Sequence, residues 1–271
     1  VTSLTALDDW PVSSVAAAVI GDGWIDGTYG DIDAVYELAS VTKLLSAYAV
    51  LVAVEEGAFE LDDPAGPEGS TVRHLLAHAS GLAFGERRVQ SPPETKRIYS
   101  SAGFEALADF TAEKTTFTFA DYLQEAVLDP LGMTRTSLPG PAGHGARSTV
   151  SDLAAFAGEL LNPTLVSGET HALAVSVQFP GLDGILPGYG SQRPNDWGLG
   201  FEIKSHKDPH WTGARNSEGT YGHFGQSGTF LWVDPVARQA LVVLTDRDFG
   251  DWAKPLWPAL SDSTLPGSPQ Q

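Results

Sequence analysis

Ser40 and Lys43, in the segment Ser40-Val41-Thr42-Lys43, have the types and spacing for nucleophilic chemistry. A serine hydroxyl is a poor nucleophile near neutral pH. It needs a base in hydrogen-bond reach and a place for negative charge on the attacked carbonyl oxygen. Positions i and i+3 of a helix share a face, so the Lys43 amine can approach the Ser40 oxygen. Burial would lower the pKa of that amine and favour its neutral, basic form. A helix N-terminus adds backbone N–H groups and partial positive charge. A chain of this length holds roughly one Ser-x-x-Lys by composition alone, so the setting decides. From Ser40 to Glu56, Leu44, Leu45, Ala47, Tyr48, Val50, Leu51, Val52 and Val54 are apolar nearly all round, and Gly57 closes the run. A helix without a polar face is buried, and a lysine there without a role is costly.

Other elements must position these residues. Val15 to Ile20, the turn Gly21-Asp22-Gly23 and Trp24 to Tyr29 read as a β-hairpin. Helices are expected over Thr71–His78, Ala102–Thr111 and from a capping box at Thr118 to about Leu128, with Ser151 capping another that stops near Asn162. Strands are expected over Trp197–Lys204, Thr220–Gly225, Thr229–Val233 and Gln239–Thr245, then a short helix over Trp252–Leu260. The stretch Ser261–Gln271, rich in Ser, Pro and Gln, is expected to fray. Strands from both ends can join one antiparallel sheet, with the helical block as an insertion.

Two further segments stand out: Ile98-Tyr99-Ser100-Ser101 before a helix, and Gly222-His223-Phe224-Gly225-Gln226-Ser227-Gly228-Thr229 on a strand and its turn. With Ser40-Val41-Thr42-Lys43 they resemble the three active-site motifs of the serine β-lactamase and penicillin-binding protein superfamily. The branch they resemble most is that of class C β-lactamases, DD-peptidases and family VIII esterases. Supporting segments follow in order: Leu61-Asp62-Asp63-Pro64, Leu75-Leu76-Ala77-His78-Ala79-Ser80-Gly81-Leu82, Pro130-Leu131-Gly132-Met133 and Trp197-Gly198-Leu199-Gly200. The resemblance runs from about Val15 to Thr245.

The resemblance implies an α+β fold, an antiparallel sheet flanked by helices with an inserted all-helical domain. Residues 1–62 and 188–271 would form the sheet domain, residues 63–187 the helical one, and the site would lie between them. It implies acylation of Ser40 and then hydrolysis, with no cofactor or metal. Tyr99 would share proton transfer with Lys43; its phenol, ordinarily near 10, would need a nearby cation to act as a base. His223 would lie beside Tyr99 and the substrate. The N–H groups of Ser40 and Gln226 would form the oxyanion hole, and Gly225 would keep the strand edge clear for substrate.

Two departures from the family pattern bear on substrate. Ser101 stands where asparagine is usual and offers one short hydroxyl in place of an amide. Phe224 stands where threonine could offer a hydroxyl to a substrate carboxylate. Both point to a less polar substrate, an ester ahead of an amide, a peptide or a β-lactam. The alternatives are a true β-lactamase or DD-carboxypeptidase, and a non-catalytic module that binds a peptide or partner.

Other chemistries fit poorly. His74 and His78 have i, i+4 spacing but no Glu follows His74, so the His-Glu-x-x-His motif is absent. The resemblance gives His78 a structural place in the turn after its helix. His206 and His210 fall in a polar loop and are expected to be solvated. Ser151-Asp152 precedes Leu153 where Ser-Asp-Asn would need asparagine. Thr229 follows Gly225-Gln226-Ser227-Gly228, so no Gly-x-Ser-x-Gly elbow exists. The absence of cysteine excludes thiol catalysis and Cys-ligated zinc. A formal charge of −18 opposes binding to nucleic acid or anionic membrane. No window approaches the ~18 apolar residues that span a bilayer. Val1-Thr2-Ser3-Leu4 shows no signal-peptide pattern, which points to the cytoplasm.

Overall fold

The computed structural model describes residues 4–22 and 24–267. Gly23, expected in the first turn, and 268–271, expected to fray, lie outside the described residues. In chain order come strands β1 (Val15–Gly21), β2 (Trp24–Tyr29) and β3 (Tyr36–Glu37), a 3-10 turn Ala39–Val41, and helices α1 (Thr42–Glu55), α2 (Val72–Leu76), α3 (Ser101–Thr115) and α4 (Phe119–Leu123). A π-type turn, Gln124–Leu128, extends α4. Then come β4 (Arg147–Ser148), α5 (Val150–Leu161), α6 (Gly168–Ala174), β5 (Gly184–Leu186), β6 (Gly190–Gln192), β7 (Glu202–Ile203), β8 (Tyr221–Gly225), β9 (Thr229–Asp234), β10 (Gln239–Thr245) and α7 (Ala253–Thr264). The main sheet has the order β2-β1-β10-β9-β8-β7 and is antiparallel throughout.

The apolar runs in β1, β9 and β10 lack polar alternation because both faces of the sheet are covered. Ala16, Ala18, Ile20, Leu231, Val233, Ala240, Val242 and Leu244 pack into a core shared with the helices. Their alternates Ala17, Val19, Phe230, Trp232, Leu241 and Val243 pack into a second core with Trp257 and Leu260 of α7. Helix α1 runs through the first core with Thr42 to Ala53 all buried. Helix α5, within residues 63–187, lies on β1 and β10.

Several elements differ from expectation. The Thr71 helix ends at Leu76, and His78 takes a left-handed φ of 55° in the turn beyond. Thr118 is half a capping box: its Oγ1 accepts from the Asp121 N–H, and its hydroxyl donates to Asp121 rather than freeing that side chain for the cap backbone. Thr149, not Ser151, caps α5 by accepting from the Asp152 N–H. The strand expected over Trp197–Lys204 shrinks to Glu202–Ile203, because Gly200 turns the chain at φ +87°. A Cβ on Gly200 would lie 2.2 Å from the Ala47 Cβ of α1. The fraying expected from Ser261 is replaced by helix to Thr264, where Ser261 is buried and accepts from Trp232 Nε1 at 3.0 Å.

Candidate active site

Ser40 sits in the 3-10 turn that leads into α1, and the preceding Ala39 has a left-handed φ of 45°, a conformation that costs a non-glycine residue about 1 kcal/mol or more. The turn rests on β8 and β9: Thr229 donates to the Leu38 carbonyl at 2.9 Å, and Ser227 to the Glu37 carbonyl at 2.7 Å. Gly225 serves this contact. A Cβ there would meet the Leu38 carbonyl oxygen at 2.3 Å and the Ala39 Cβ at 3.1 Å. Its bareness admits the serine-bearing turn.

Lys43, the second residue of α1, is wholly buried. Its Nζ lies 3.5 Å from Ser40 Oγ and donates to Ser101 Oγ at 3.0 Å and the Gly143 carbonyl at 2.8 Å. It also stands 4.6 Å above the Tyr99 ring. No carboxylate forms an ion pair with it among the described residues. Burial therefore lowers its pKa to about 7, opposed in part by the charge of Glu105.

Tyr99 reaches the same oxygen from the other side, its hydroxyl donating to Ser40 Oγ at 2.7 Å. Burial raises its pKa well above the ordinary phenol value, so it keeps its proton. The two serines after it divide the labour. Ser100 caps α3 by accepting from the Gly103 N–H, and Ser101 turns its hydroxyl to Lys43.

His223 lies on β8, its ring 5.6 Å from that of Tyr99 and 5.4 Å from that of Trp197. Its Nδ1 is 2.6 Å from the Phe224 carbonyl, which can only accept, so Nδ1 carries the proton. Burial, and then the charge of Lys43, lower its pKa to about 3. The ring is thus neutral, with Nε2 buried and unpartnered among the described residues.

These groups meet at a cavity of about 160 Å³ bordered by Ser40, Tyr99, His223, Phe224, Trp197 and Gln226 among others. Gln226 holds the far end of the β8 turn through its side chain, which donates to the Phe249 carbonyl at 3.2 Å. Two wider grooves continue from the cavity, about 770 Å³ past Gln226 and Arg147 and about 540 Å³ past Tyr99 and Ile185. Phe84 borders all three spaces.

Sequence reasoning missed three groups. The Gly/Pro-rich segment 139–146 packs over Lys43. It supplies the Gly143 carbonyl, the Ala142 carbonyl that accepts from Ser46, and the Ala146 N–H that donates to Thr42. Its backbone contacts leave no pattern of side chains. Phe84 was missed because a single aromatic in a loop carries no signal. Beside Trp197 on the wall of the same cavity, Glu202 accepts from His210 Nε2 and Trp211 Nε1 at 2.9 and 2.8 Å and pairs with buried Lys207. His210 is therefore buried, against expectation, while His206 is exposed and 3.0 Å from Glu218. His74 bonds Thr71 and Glu94, and His78 Nδ1 accepts from the Ser100 N–H, so the two histidines serve separate contacts. Among the described residues no group of three His, Asp or Glu side chains could hold a metal. No described helix is long and apolar enough to cross a membrane.

The chain is similar to known proteins over its whole length. The crystal structure of a β-lactamase from Mycobacterium bovis shares 60% sequence identity with it, covering 97% of this chain and 99% of that one, with a TM-score of 0.95. EstCE1, a hydrolase with promiscuous acyltransferase activity, has a TM-score of 0.78 at 16% identity, covering 97% of this chain and 96% of that one; this is a likeness of fold. Penicillin-binding protein 4* of Bacillus subtilis is 26% identical over 137 residues, which take in 38% of this chain and 30% of that protein. A family model of β-lactamases matches residues 8–263. With that match spanning nearly the whole chain, and Ser40, Tyr99 and His223 of the three motifs bordering one cavity with Lys43 3.5 Å from Ser40, the protein belongs to the β-lactamase family of serine hydrolases.

Proposed function

We propose that Ser40 is the nucleophile of an ester hydrolase, with Lys43 as the base that activates it. The observation that carries this reading is the hydrogen-bonding of Lys43. A neutral amine has two N–H bonds and one lone pair. Gly143 and Ser101 accept the two N–H bonds, which leaves the lone pair for the Ser40 hydroxyl. The buried amine, with a pKa of about 7, has a substantial neutral fraction at neutral pH. Ser40 Oγ attacks the carbonyl carbon as its proton passes to Lys43. The N–H groups of Ser40 and Gln226 receive the oxyanion. When the tetrahedral adduct collapses, the alkoxide leaves and takes a proton from Tyr99, which recovers one from Lys43. Water then repeats the sequence on the acyl-enzyme.

An uncharged ester suits the cavity. No Lys or Arg borders it, and His223 is neutral because its pKa is about 3. The carboxylate beside the scissile bond of a cephalosporin would find no cation there. A second reading, β-lactam hydrolysis, is favoured by the 60% identity to a β-lactamase. The two separate when p-nitrophenyl butyrate and a chromogenic cephalosporin are each given to the native protein and to Ser40→Ala. The expected outcome is ester turnover that falls at least about 1000-fold in the variant, with little cephalosporin turnover. Fast cephalosporin hydrolysis without esterase activity would transfer the assignment to the β-lactamase reading. Equal ester rates in the two proteins would remove Ser40 from the chemistry.

A further inference from the structure

The groove beside Tyr99 has a composition that the chemistry at Ser40 does not require. It joins apolar side chains, Phe84, Ile98, the Tyr99 ring, Ile185 and Pro187, to the charged Lys96, Arg97, Asp183 and Arg193. Phe84, Tyr99 and Pro187 also border the cavity at Ser40, and Ile185 and Phe84 present apolar surface at 65% and 59% exposure. The charges of the groove are unequal. Arg97 is buried and spent on the carbonyls of Ala77, Gln178, Phe179 and Asn195. Arg193 is 3.9 Å from Asp183, the one carboxylate lining the groove. Lys96 has no ion pair among the described residues. Lys96, without an ion pair, and Arg193 against the one acid leave local positive charge on a chain of net −18.

We propose that this groove is a subsite for the leaving-group side of the ester, taking an apolar, ring-sized segment that ends in a carboxylate. The inference rests on the ester-hydrolase reading above. The leaving group falls on this side because Tyr99, which hands it a proton, forms the wall common to the groove and the catalytic cavity. The apolar part covers Phe84, Ile185 and Ile98, and the anion meets Lys96 and Arg193. The reacting bond stays in the cation-free cavity. The preference is thus for charge remote from the ester and against charge beside it.

The test compares deacetylation of 4-(4-acetoxyphenyl)butanoate with that of its methyl ester, in which the remote charge is capped, each followed as initial release of the phenol. In the native protein kcat/KM should favour the carboxylate about fivefold or more at low ionic strength, the scale of two exposed charge contacts. The preference should shrink in 0.5 M NaCl and fall to about one in Lys96→Gln/Arg193→Gln. Because each ratio is taken within one protein, partial misfolding of the variant does not alter it. A ratio near one in the native protein, or a preference that survives the double substitution, overturns the subsite. Mono-p-nitrophenyl adipate carries its carboxylate on the acyl side and should show no preference over p-nitrophenyl hexanoate. A preference there that disappears in the double variant overturns the leaving-group assignment. If the native protein turns over none of these esters, the ester reading has failed and calorimetry with Ser40→Ala decides the subsite alone. Tighter binding of the butanoate than of its methyl ester supports it, and equal or absent binding overturns it.

Discussion

At the scale of the residue, the unusual object is a lysine in the core with no acid beside it. Its pKa falls from 10.5 to about 7 on folding, chiefly through burial. The unfolded chain therefore binds one more proton than the folded chain between about pH 7 and 10.5. Stability rises with pH across that window, and the cost of charging the buried amine is fully present below it. Lys43→Met removes this term and leaves the Gly143 carbonyl without its donor, a loss that does not depend on pH. The gain of the variant over the native protein should thus be larger at pH 6 than at pH 9 by about 2 kcal/mol, read from urea midpoints at the two pH values. A difference independent of pH would mean that the amine is not desolvated. The same titration predicts that kcat/KM for a neutral ester rises through about pH 7 and then levels, since only the neutral amine can accept the Ser40 proton. His223 does not complicate the profile, because its pKa is about 3. A rate unchanged from pH 5 to 9 would exclude Lys43 as the base.

At the scale of the element, the serine is aimed by the contact between a turn and a strand. Ala39–Val41 lies on β8 where Gly225 has no side chain. Gly225→Ala would force the Leu38 carbonyl, 2.3 Å from the new Cβ, to move. Ser40 Oγ would shift by a fraction of an ångström to an ångström from Tyr99 and Lys43. Positional errors of that size cost about 100-fold in rate, so kcat should fall by about that factor while KM changes little. A loss confined to KM would instead restore the view that Gly225 clears space for substrate. That role was the one legible in the sequence, and the contact with the Leu38 carbonyl shows where legibility ended. The motif order and the apolar run after Lys43 pointed to Ser40, Tyr99 and His223, which border one cavity, and to Lys43, buried beside Ser40. What could not be read was whatever depends on backbone atoms. The segment 139–146 holds Lys43 through carbonyls that any sequence possesses. Gly200 breaks an expected strand because α1 passes too close for a Cβ. Ser101, read as a weakened substrate contact, spends its hydroxyl on Lys43. His210 was misread because its partner, Glu202, lies across a loop that local sequence does not fold.

At the scale of the whole molecule, every central strand of the sheet belongs to two cores at once. The alternation in β1, β9 and β10 sends successive residues to the helical side and to the α7 side, so neither layer can come apart while the other stays dry. The site depends on both. Ser40 and Lys43 come from the helical side, whereas Phe224, next to His223, packs on Trp257 of α7 with ring centroids 5.8 Å apart. Trp257 is fully buried and also meets Phe230 and Phe249 at 5.0 and 5.2 Å. Trp257→Ala would leave a large void on the face of the sheet opposite Lys43. Truncations of this kind cost about 3–5 kcal/mol, or roughly 10 °C in Tm for a protein of this size. Because the strands are shared, the loss should appear as one cooperative transition at a lower temperature, with circular dichroism, tryptophan fluorescence and esterase activity falling together. A biphasic melt, in which activity at Ser40 outlasts the unfolding of α7, would show that the two cores are separable and that the sheet does not couple them.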